Sequence, residues 1–296
     1  MSNRKQMQKN ILLVLMIGLV WMACTKEQLP SGLNLKDLIK TEDTTYLIST
    51  IPTAQTRHIL MEEPTGVRCP NCPDGAELMH DLKIANPGRI LSVSVYSPFL
   101  NDSVPPAKYN FNTPDAEELV NFLGGDPQKP TSSINRIPTG YVTPPIPYFF
   151  SKADWATKVA SELTKTTPLN LELNVIPNGT DYYLKSKVTF TESISDSLVM
   201  SVYIIEDSII DLQEFPSSVI DLNYVHNHVL RKMVTPVSGS NFLSTMPIKE
   251  KGRVFERTFS ITLPSNIVNP AHVKLLCFVH KTGASKEVIQ VEEVDL

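Results

Sequence analysis

Two cysteines separated by two residues, Cys69 and Cys72, constrain the fold of this chain more than any other feature. An apolar run, 58–61, precedes the pair, and a run with helical character, 76–84, follows it. A C-x-x-C pair at a strand-to-helix junction is typical of a redox site. Unpaired amides in the first turn of a helix stabilise a thiolate, and Arg68 adds a positive charge beside Cys69. We therefore predict that Cys69 is the reactive cysteine and that Arg68 stabilises its thiolate.

Pro73 predicts the start of the helix. Proline is tolerated in the first turn, where its missing amide hydrogen has no partner in any case. We expect a helix from Cys69 to about Asn86, which the following Pro87-Gly88 ends.

The order of elements around this helix predicts an α/β unit over residues 56–166. Strands are expected at 58–63, 89–96 and 132–137, with a last strand within 141–150. A second helix begins at Thr113-Pro114-Asp115 and ends at Gly124-Gly125, and a third covers 151–164. Pro130 lies just before the third strand, where thioredoxin-like folds place a cis proline that faces the disulfide. The alternative is an ordinary trans loop proline.

After Pro168 the pattern changes to a period of two. Leu169, Leu171, Leu173 and Val175 alternate with polar residues, and Asn178-Gly179 predicts a tight hairpin. Further strands are expected at 183–190, 198–206, 226–235, 254–263, 273–280 and 288–291. About seven strands joined by turns predict an antiparallel β-sandwich over residues 167–296.

The N-terminus resembles an export signal. Basic residues precede an apolar stretch of about eleven residues, which fits a signal-peptide core and is short for a membrane span. The small residue Ala23 before Cys24 predicts a lipoprotein cleavage site, with residues 1–23 removed, Cys24 lipidated and 24–55 a tether. The alternative is an ordinary secretory signal in which Cys24 is incidental.

Charge and cysteine content limit the kinds of partner and compartment that are expected for this protein. The formal net charge of −4 argues against nucleic-acid binding. Export implies an oxidising compartment, so a Cys69–Cys72 disulfide can persist there. Cys277 lies in a strand-like apolar run, where a lone cysteine is most often a small buried hydrophobe.

The residues around the cysteine pair resemble a known family. Glu62-Glu63-Pro64-Thr65-Gly66, followed by Cys69-Pro70-Asn71-Cys72-Pro73, is similar to the motif of the outer-membrane lipoprotein family of Bacteroidota named for a twenty-eight-kilodalton outer-membrane protein. Pro64 stands where that motif usually has an aromatic residue. Stretches 204–207 and 224–231 also resemble the family's C-terminal signatures. The resemblance implies a thioredoxin-like domain followed by a β-sandwich, lipid-anchored at the outer membrane.

Three functional hypotheses follow. In the first, Cys69 and Cys72 exchange disulfides with protein thiols, and Pro130 and Thr131 present backbone to the substrate. In the second, the disulfide is structural, and the sandwich or the 97–111 loop binds an unknown surface ligand. In the third, His226 and His228 contribute to a metal site, but with one C-x-x-C and no third ligand nearby a structural role is favoured. No cofactor motif is evident, so we predict neither metal nor cofactor.

Overall fold

The computed structural model describes residues 42–102, 105–140, 148–283 and 285–296. The signal segment, Cys24, most of the tether and the stretch 141–147 therefore lie outside the described residues. The helices in the described part are α1 (Cys72–Ala85), α2 (Pro114–Phe122) and α3 (Trp155–Leu163). Each lies where the sequence predicts a helix. α1, however, begins at Cys72 and not at Cys69, because residues 66–71 form turns that place Cys69 just before the helix.

The strands carry most of the structure. In chain order, within the described residues, they are β1 (Thr44–Leu47), β2 (Ile59–Thr65), β3 (Ile90–Tyr96), β4 (Thr131–Ile134), β5 (Phe150–Ser151), β6 (Leu169–Asn178), β7 (Asp181–Phe190), β8 (Leu198–Glu206), β9 (Ile209–Phe215), β10 (Val219–His226), β11 (Val229–Met233), β12 (Ser240–Asn241), β13 (Arg253–Ile261), β14 (Val273–Lys281) and β15 (Val288–Asp295). The protein is thus mostly β, with several sheets.

The largest sheet has the order β15-β14-β8-β11-β3-β2-β4-β5, with β12 paired to β8. β2 and β3 run parallel, with Glu63 opposite Ser94, because α1 forms the crossover between them. β4 is antiparallel to β2, and β5 is antiparallel to β4. The predicted sequence of strand, helix, strand, helix, strand, strand and helix is therefore present over residues 59–163.

The same sheet continues through the second half of the chain. β11 lies beside β3 in parallel, with Val229 opposite Ser94, and is antiparallel to β8 on its other edge. Strands from both sides of residue 166 thus hydrogen-bond within one sheet, and residues 41–296 form one compact unit. The division into domains at 166/167 stays a prediction, but it does not separate two sheets.

The two faces of this sheet are covered differently. α2 packs on one face, where Leu60 of β2 and Tyr203 of β8 belong to the same apolar core. Because side chains alternate along a strand, Met61 and Val202 point to the opposite face. There α1 and α3 cover the β2–β3 end, and the sheet β1-β13-β7-β6 covers the β8–β14–β15 end.

One structural unit was missed by the sequence analysis. β9 and β10 pair as an antiparallel two-stranded hairpin, 209–226, whereas we expected strands only at 198–206 and 226–235. The predicted strand 226–235 is reduced to β11, because His226 ends β10 and His228 turns the chain with a φ of 57°. This hairpin lies against the cysteine motif.

Candidate functional site around Cys69 and Cys72

Cys69 and Cys72 form a disulfide at the junction of β2 and α1, with their Cα atoms 5.3 Å apart. The amide of Cys72 donates to the carbonyl oxygen of Cys69, which closes the turn before the helix. Pro73 lies in the first turn of α1, as predicted. The side chains of both cysteines are buried, with exposed fractions of 1% for Cys69 and 2% for Cys72.

Gly66 sets the path of the chain into the motif. A Cβ atom at this position would lie 2.2 Å from the carbonyl oxygen of Leu100, a backbone atom that cannot rotate away. Only glycine permits this approach. The neighbouring amide of Arg68 donates to the same oxygen at 3.0 Å, so the 97–102 segment holds the motif from one side.

Gly75 is the place where the predicted site residue Pro130 meets α1. A Cβ atom here would lie 2.6 Å from Glu63 Oε1, 2.8 Å from Pro130 Cβ and 3.4 Å from Trp155 Cη2. The Lys129–Pro130 peptide bond is cis, which confirms the predicted isomer. The topology therefore brings Pro130 against α1, one turn after Cys72.

Glu63 is the site residue that sequence reasoning missed. Its side chain is buried, and Oε1 has no hydrogen-bond partner among the described residues. Burial raises the pKa of Glu63 to about 8, since the charged form loses its hydration. At neutral pH this carboxyl therefore holds its proton while packed against the first turns of α1.

The preceding acid has a different environment. Glu62 points to the opposite face of β2, where its carboxylate accepts hydrogen bonds from Arg136 at 2.6 and 2.9 Å. Arg136 is itself fully buried and donates to the hydroxyl of Tyr203. The signal in the sequence was the adjacent pair of acids in a buried strand, because alternation sends one side chain to each face. The partner of Glu62, Arg136, comes from the turn that follows β4.

The β9–β10 hairpin covers the motif. Gln213 donates from Nε2 to the carbonyl oxygens of Cys69 at 3.1 Å and Gly66 at 3.4 Å. The amide of Glu214 donates to the carbonyl oxygen of Val67 at 2.8 Å. These bonds attach a segment from the second half of the chain to the backbone of residues 66–69.

Two other predicted site residues lie at the edges of this arrangement. Arg68 is 45% exposed, and its Nε lies 3.5 Å from Glu214 Oε2, so its charge faces the acid of the hairpin. Thr131 begins β4, directly after the cis bond, and its buried hydroxyl has no partner among the described residues. Cys277 is buried and free, in agreement with its predicted place in a core strand.

The two histidines have separate structural partners. His226 lies between the hydroxyl of Tyr96, 2.5 Å from Nδ1, and the carbonyl oxygen of Leu212, 3.2 Å from Nε2. His228 contacts Asp207 and Lys83 instead. Burial lowers the pKa of His226 to about 4, so it is neutral at pH 7. In the described residues no group of three or more His, Cys, Asp or Glu side chains could hold a metal ion.

The comparison with known families gives one match, outer membrane protein Omp28, over residues 128–296. This covers more than half of the chain. The protein belongs to the Omp28 family.

Membership confirms the family resemblance and implies association with the outer membrane. The matched residues include cis-Pro130, Arg136 and the β9–β10 hairpin, but they begin after the cysteines. The Omp28 match therefore gives no information about the disulfide, which lies outside the matched residues. Among the described residues, no helix has the length and apolar character needed to cross a membrane.

One solved structure has a fold similar to that of this Omp28 protein. HBP35 of Porphyromonas gingivalis is similar with a TM-score of 0.61 and 15% identity, over 81% of this chain and 76% of that one. A protein of Agrobacterium tumefaciens is 11% identical, with a TM-score of 0.48, over 81% of this chain and 96% of that one. No curated protein matches the sequence.

Proposed function

We propose that this Omp28-family protein carries out thiol–disulfide exchange at the cell envelope, with Cys69–Cys72 as the reacting pair of a thioredoxin-like segment followed by a β-sandwich. The observation that carries the proposal is the convergence at Gly75. Pro130 and a buried carboxyl with a raised pKa meet there, one turn after Cys72. A disulfide that only braces the fold needs neither group.

The exchange step assigns a role to each residue. A substrate thiolate attacks Sγ of Cys69, a mixed disulfide forms, and Cys72 leaves as a thiolate. Glu63 supplies a proton to that thiolate, and Arg68 and the start of α1 stabilise the thiolate of Cys69 when it is released. A second substrate thiolate then displaces Cys69, so that two substrate thiols become a disulfide while the pair is reduced. Pro130 and Thr131 present backbone to the substrate.

In this function the β9–β10 hairpin is a cover over the pair. Cys69 is too buried to meet a protein thiol while Gln213 and Glu214 hold the loop. The reaction therefore requires that the hairpin separate from residues 66–69. The lipid on Cys24 keeps the protein at the outer membrane.

The equilibrium redox potential of the pair tests this proposal. Catalytic pairs lie between about −270 and −120 mV, whereas inert structural disulfides lie below about −300 mV. We expect a potential in the catalytic range and reduction of insulin that the Cys69→Ser variant loses. A potential below about −300 mV, together with equal insulin reduction by the wild type and the variant, would contradict it.

The burial of the disulfide favours a second candidate function. With exposed fractions of 1% and 2%, the pair is as well covered as a structural disulfide, and the protein then acts as a binding module for a surface ligand. In that case replacing both cysteines by serine lowers the free energy of unfolding and leaves ligand binding unchanged. Under the exchange proposal, the double variant loses insulin reduction.

A further inference from the structure

The β9–β10 hairpin carries exposed aliphatic side chains that the disulfide chemistry does not use. Five of them are between 45% and 58% exposed, and these are Ile210, Val219, Ile220, Leu222 and Val225. Single exposed aliphatic residues are normal on a protein surface, whereas a group of them on one element indicates an interaction site. We call these five residues the hairpin patch.

β10 also has a free edge. It pairs with β9 in a two-stranded sheet, and no other strand of the described residues lies beside it. Proteins usually protect a free edge with lysine, proline or a very short strand. β10 has eight residues and neither lysine nor proline, and its protection is limited to Asp221 and the register shift that follows it. Its backbone is therefore open to pairing with an added strand.

The charge of the hairpin limits what can bind there. Residues 209–226 contain three carboxylates and no lysine or arginine. Asp211 is buried and accepts hydrogen bonds from two backbone amides, and Glu214 faces Arg68, whereas Asp221 is exposed on β10. A second copy of the chain would bring the same acids, and an anionic membrane surface would add more negative charge. A partner with a lysine or arginine is favoured instead.

The area of the patch points in the same direction. Five aliphatic side chains at about half exposure present on the order of 200–300 Å² of apolar surface. A stable protein–protein interface buries about 800 Å² on each partner, so this patch is too small to hold a second copy by itself. Strand addition needs less area, because backbone hydrogen bonds provide the affinity and alternate side chains provide the specificity.

We propose that the free edge of β10 binds an extended segment of another polypeptide by strand addition, with aliphatic side chains of the segment on the hairpin patch and a lysine or arginine at Asp221. The segment has alternating aliphatic and polar residues and a basic flank. This binding does not require that the Cys69–Cys72 disulfide turn over.

Isothermal titration of the oxidised full-length chain at pH 7 tests the proposal. The probe is a capped peptide without cysteine, Lys-Val-Thr-Val-Thr-Val-Lys. The matched control peptide has every valine and threonine N-methylated, which keeps the side chains and removes the amide donors. We expect the probe to bind at least tenfold more tightly than the control. No binding of the probe, or equal binding of the two peptides, would overturn strand addition.

Variants locate the binding. Leu222→Ser should weaken binding of the probe at least fivefold, whereas Leu47→Ser, an equally exposed change on the edge strand β1, should leave it unchanged. Asp221→Lys should weaken binding of the probe and strengthen binding of the same peptide with glutamate in place of both lysines. Unchanged binding of the probe in both Leu222→Ser and Asp221→Lys would contradict the site.

Two further measurements address the other occupants. They use the full chain with Cys24→Ser, so that the lipid predicted on Cys24 does not contribute. A dimer in sedimentation equilibrium that Leu222→Ser dissociates would assign the patch to a second copy, and binding to anionic phospholipid vesicles that Leu222→Ser abolishes would assign it to a membrane. Either result would overturn the proposal. If the probe binds but insulin is not reduced, the exchange function fails and this proposal stands.

Discussion

Gln213 donates a hydrogen bond from Nε2 to the carbonyl oxygen of Cys69 at 3.1 Å, across 144 residues of sequence. The same amide group reaches the carbonyl oxygen of Gly66, and the amide of Glu214 binds Val67. These polar contacts to backbone add to the apolar packing of Ile209 and Leu212 against Val67, and the contribution of each residue can be measured separately.

We expect Gln213→Ala to accelerate reduction of the disulfide by a soluble phosphine. Each lost hydrogen bond is worth about 0.5–1.5 kcal/mol. A loss of about 1.4 kcal/mol raises tenfold the fraction of molecules in which the hairpin has separated from residues 66–69. The reduction rate, followed by thiol labelling, should rise by about that factor. Asn223→Ala on the same hairpin, an exposed position, is the matched control and should leave the rate unchanged. Equal rates in both variants would show that the hairpin is not the barrier.

Glu63 should make stability depend on pH. An unfolded chain loses this proton near pH 4.3, whereas the folded protein keeps it to about pH 8. Between these values the folded state binds one proton more, so the free energy of unfolding falls as pH rises, by up to about 1.4 kcal/mol per pH unit. Below about pH 4.3, Glu63 is protonated in both states and does not affect how the free energy of unfolding changes with pH.

The comparison of wild type with Glu63→Gln isolates this slope. Denaturant unfolding from pH 5 to 9 measures the free energy of unfolding of both proteins. The value for the wild type should fall relative to that of the variant up to about pH 8, and the difference should be constant above pH 8. His226 acts in the opposite direction below about pH 6.5, because its folded pKa is lowered, and it cancels in the comparison. The exposed substitution Glu77→Gln is the control. A difference that is constant from pH 5 to 8 would refute the raised pKa.

Gly75→Ala should destabilise the protein although alanine is the better helix former. The added Cβ would lie within 3 Å of both Glu63 Oε1 and Pro130 Cβ. Overpacking of this kind costs about 1–3 kcal/mol, which exceeds the gain in helix propensity of about 1 kcal/mol. Thermal unfolding measures the net effect, with Asp81→Ala on the exposed side of α1 as the control. A stabilised Gly75→Ala variant would mean that α1 and Pro130 do not pack as described.

Removal of one partner from the Glu62–Arg136 pair should cost about 3–5 kcal/mol, because the other charge is left buried. Glu62→Gln and Arg136→Met test this by chemical denaturation. The double variant should lose less than the sum of the two single losses, since it leaves no unpaired charge. Lys187→Met, which breaks an exposed pair with Glu172, should change stability by less than about 1 kcal/mol. Additive losses would indicate that the two buried groups are independent.

Local rules explain why the helices and most strands were predictable. Thr113 caps α2 through its hydroxyl, Pro73 occupies the first turn of α1, and Asn178-Gly179 joins β6 to β7. Each feature depends on the backbone preferences of residues a few positions apart. The hairpin 209–226 was missed because its alternation is weak, and because its contacts are with residues 66–69, which lie far away in the sequence.

The sequence by itself determined the C-x-x-C at a strand-to-helix junction, the position of Pro130 before β4, and the alternation that separates Glu62 from Glu63. Only the tertiary structure decided that Glu63 Oε1 has no partner among the described residues while Glu62 has Arg136, that Pro130 meets Gly75, and that Gln213 binds the carbonyl oxygen of Cys69. The physical reason is that burial and pairing depend on which distant segments meet. Here β11 joins β3 in one sheet, and this brings the second half of the chain over the cysteines of the first.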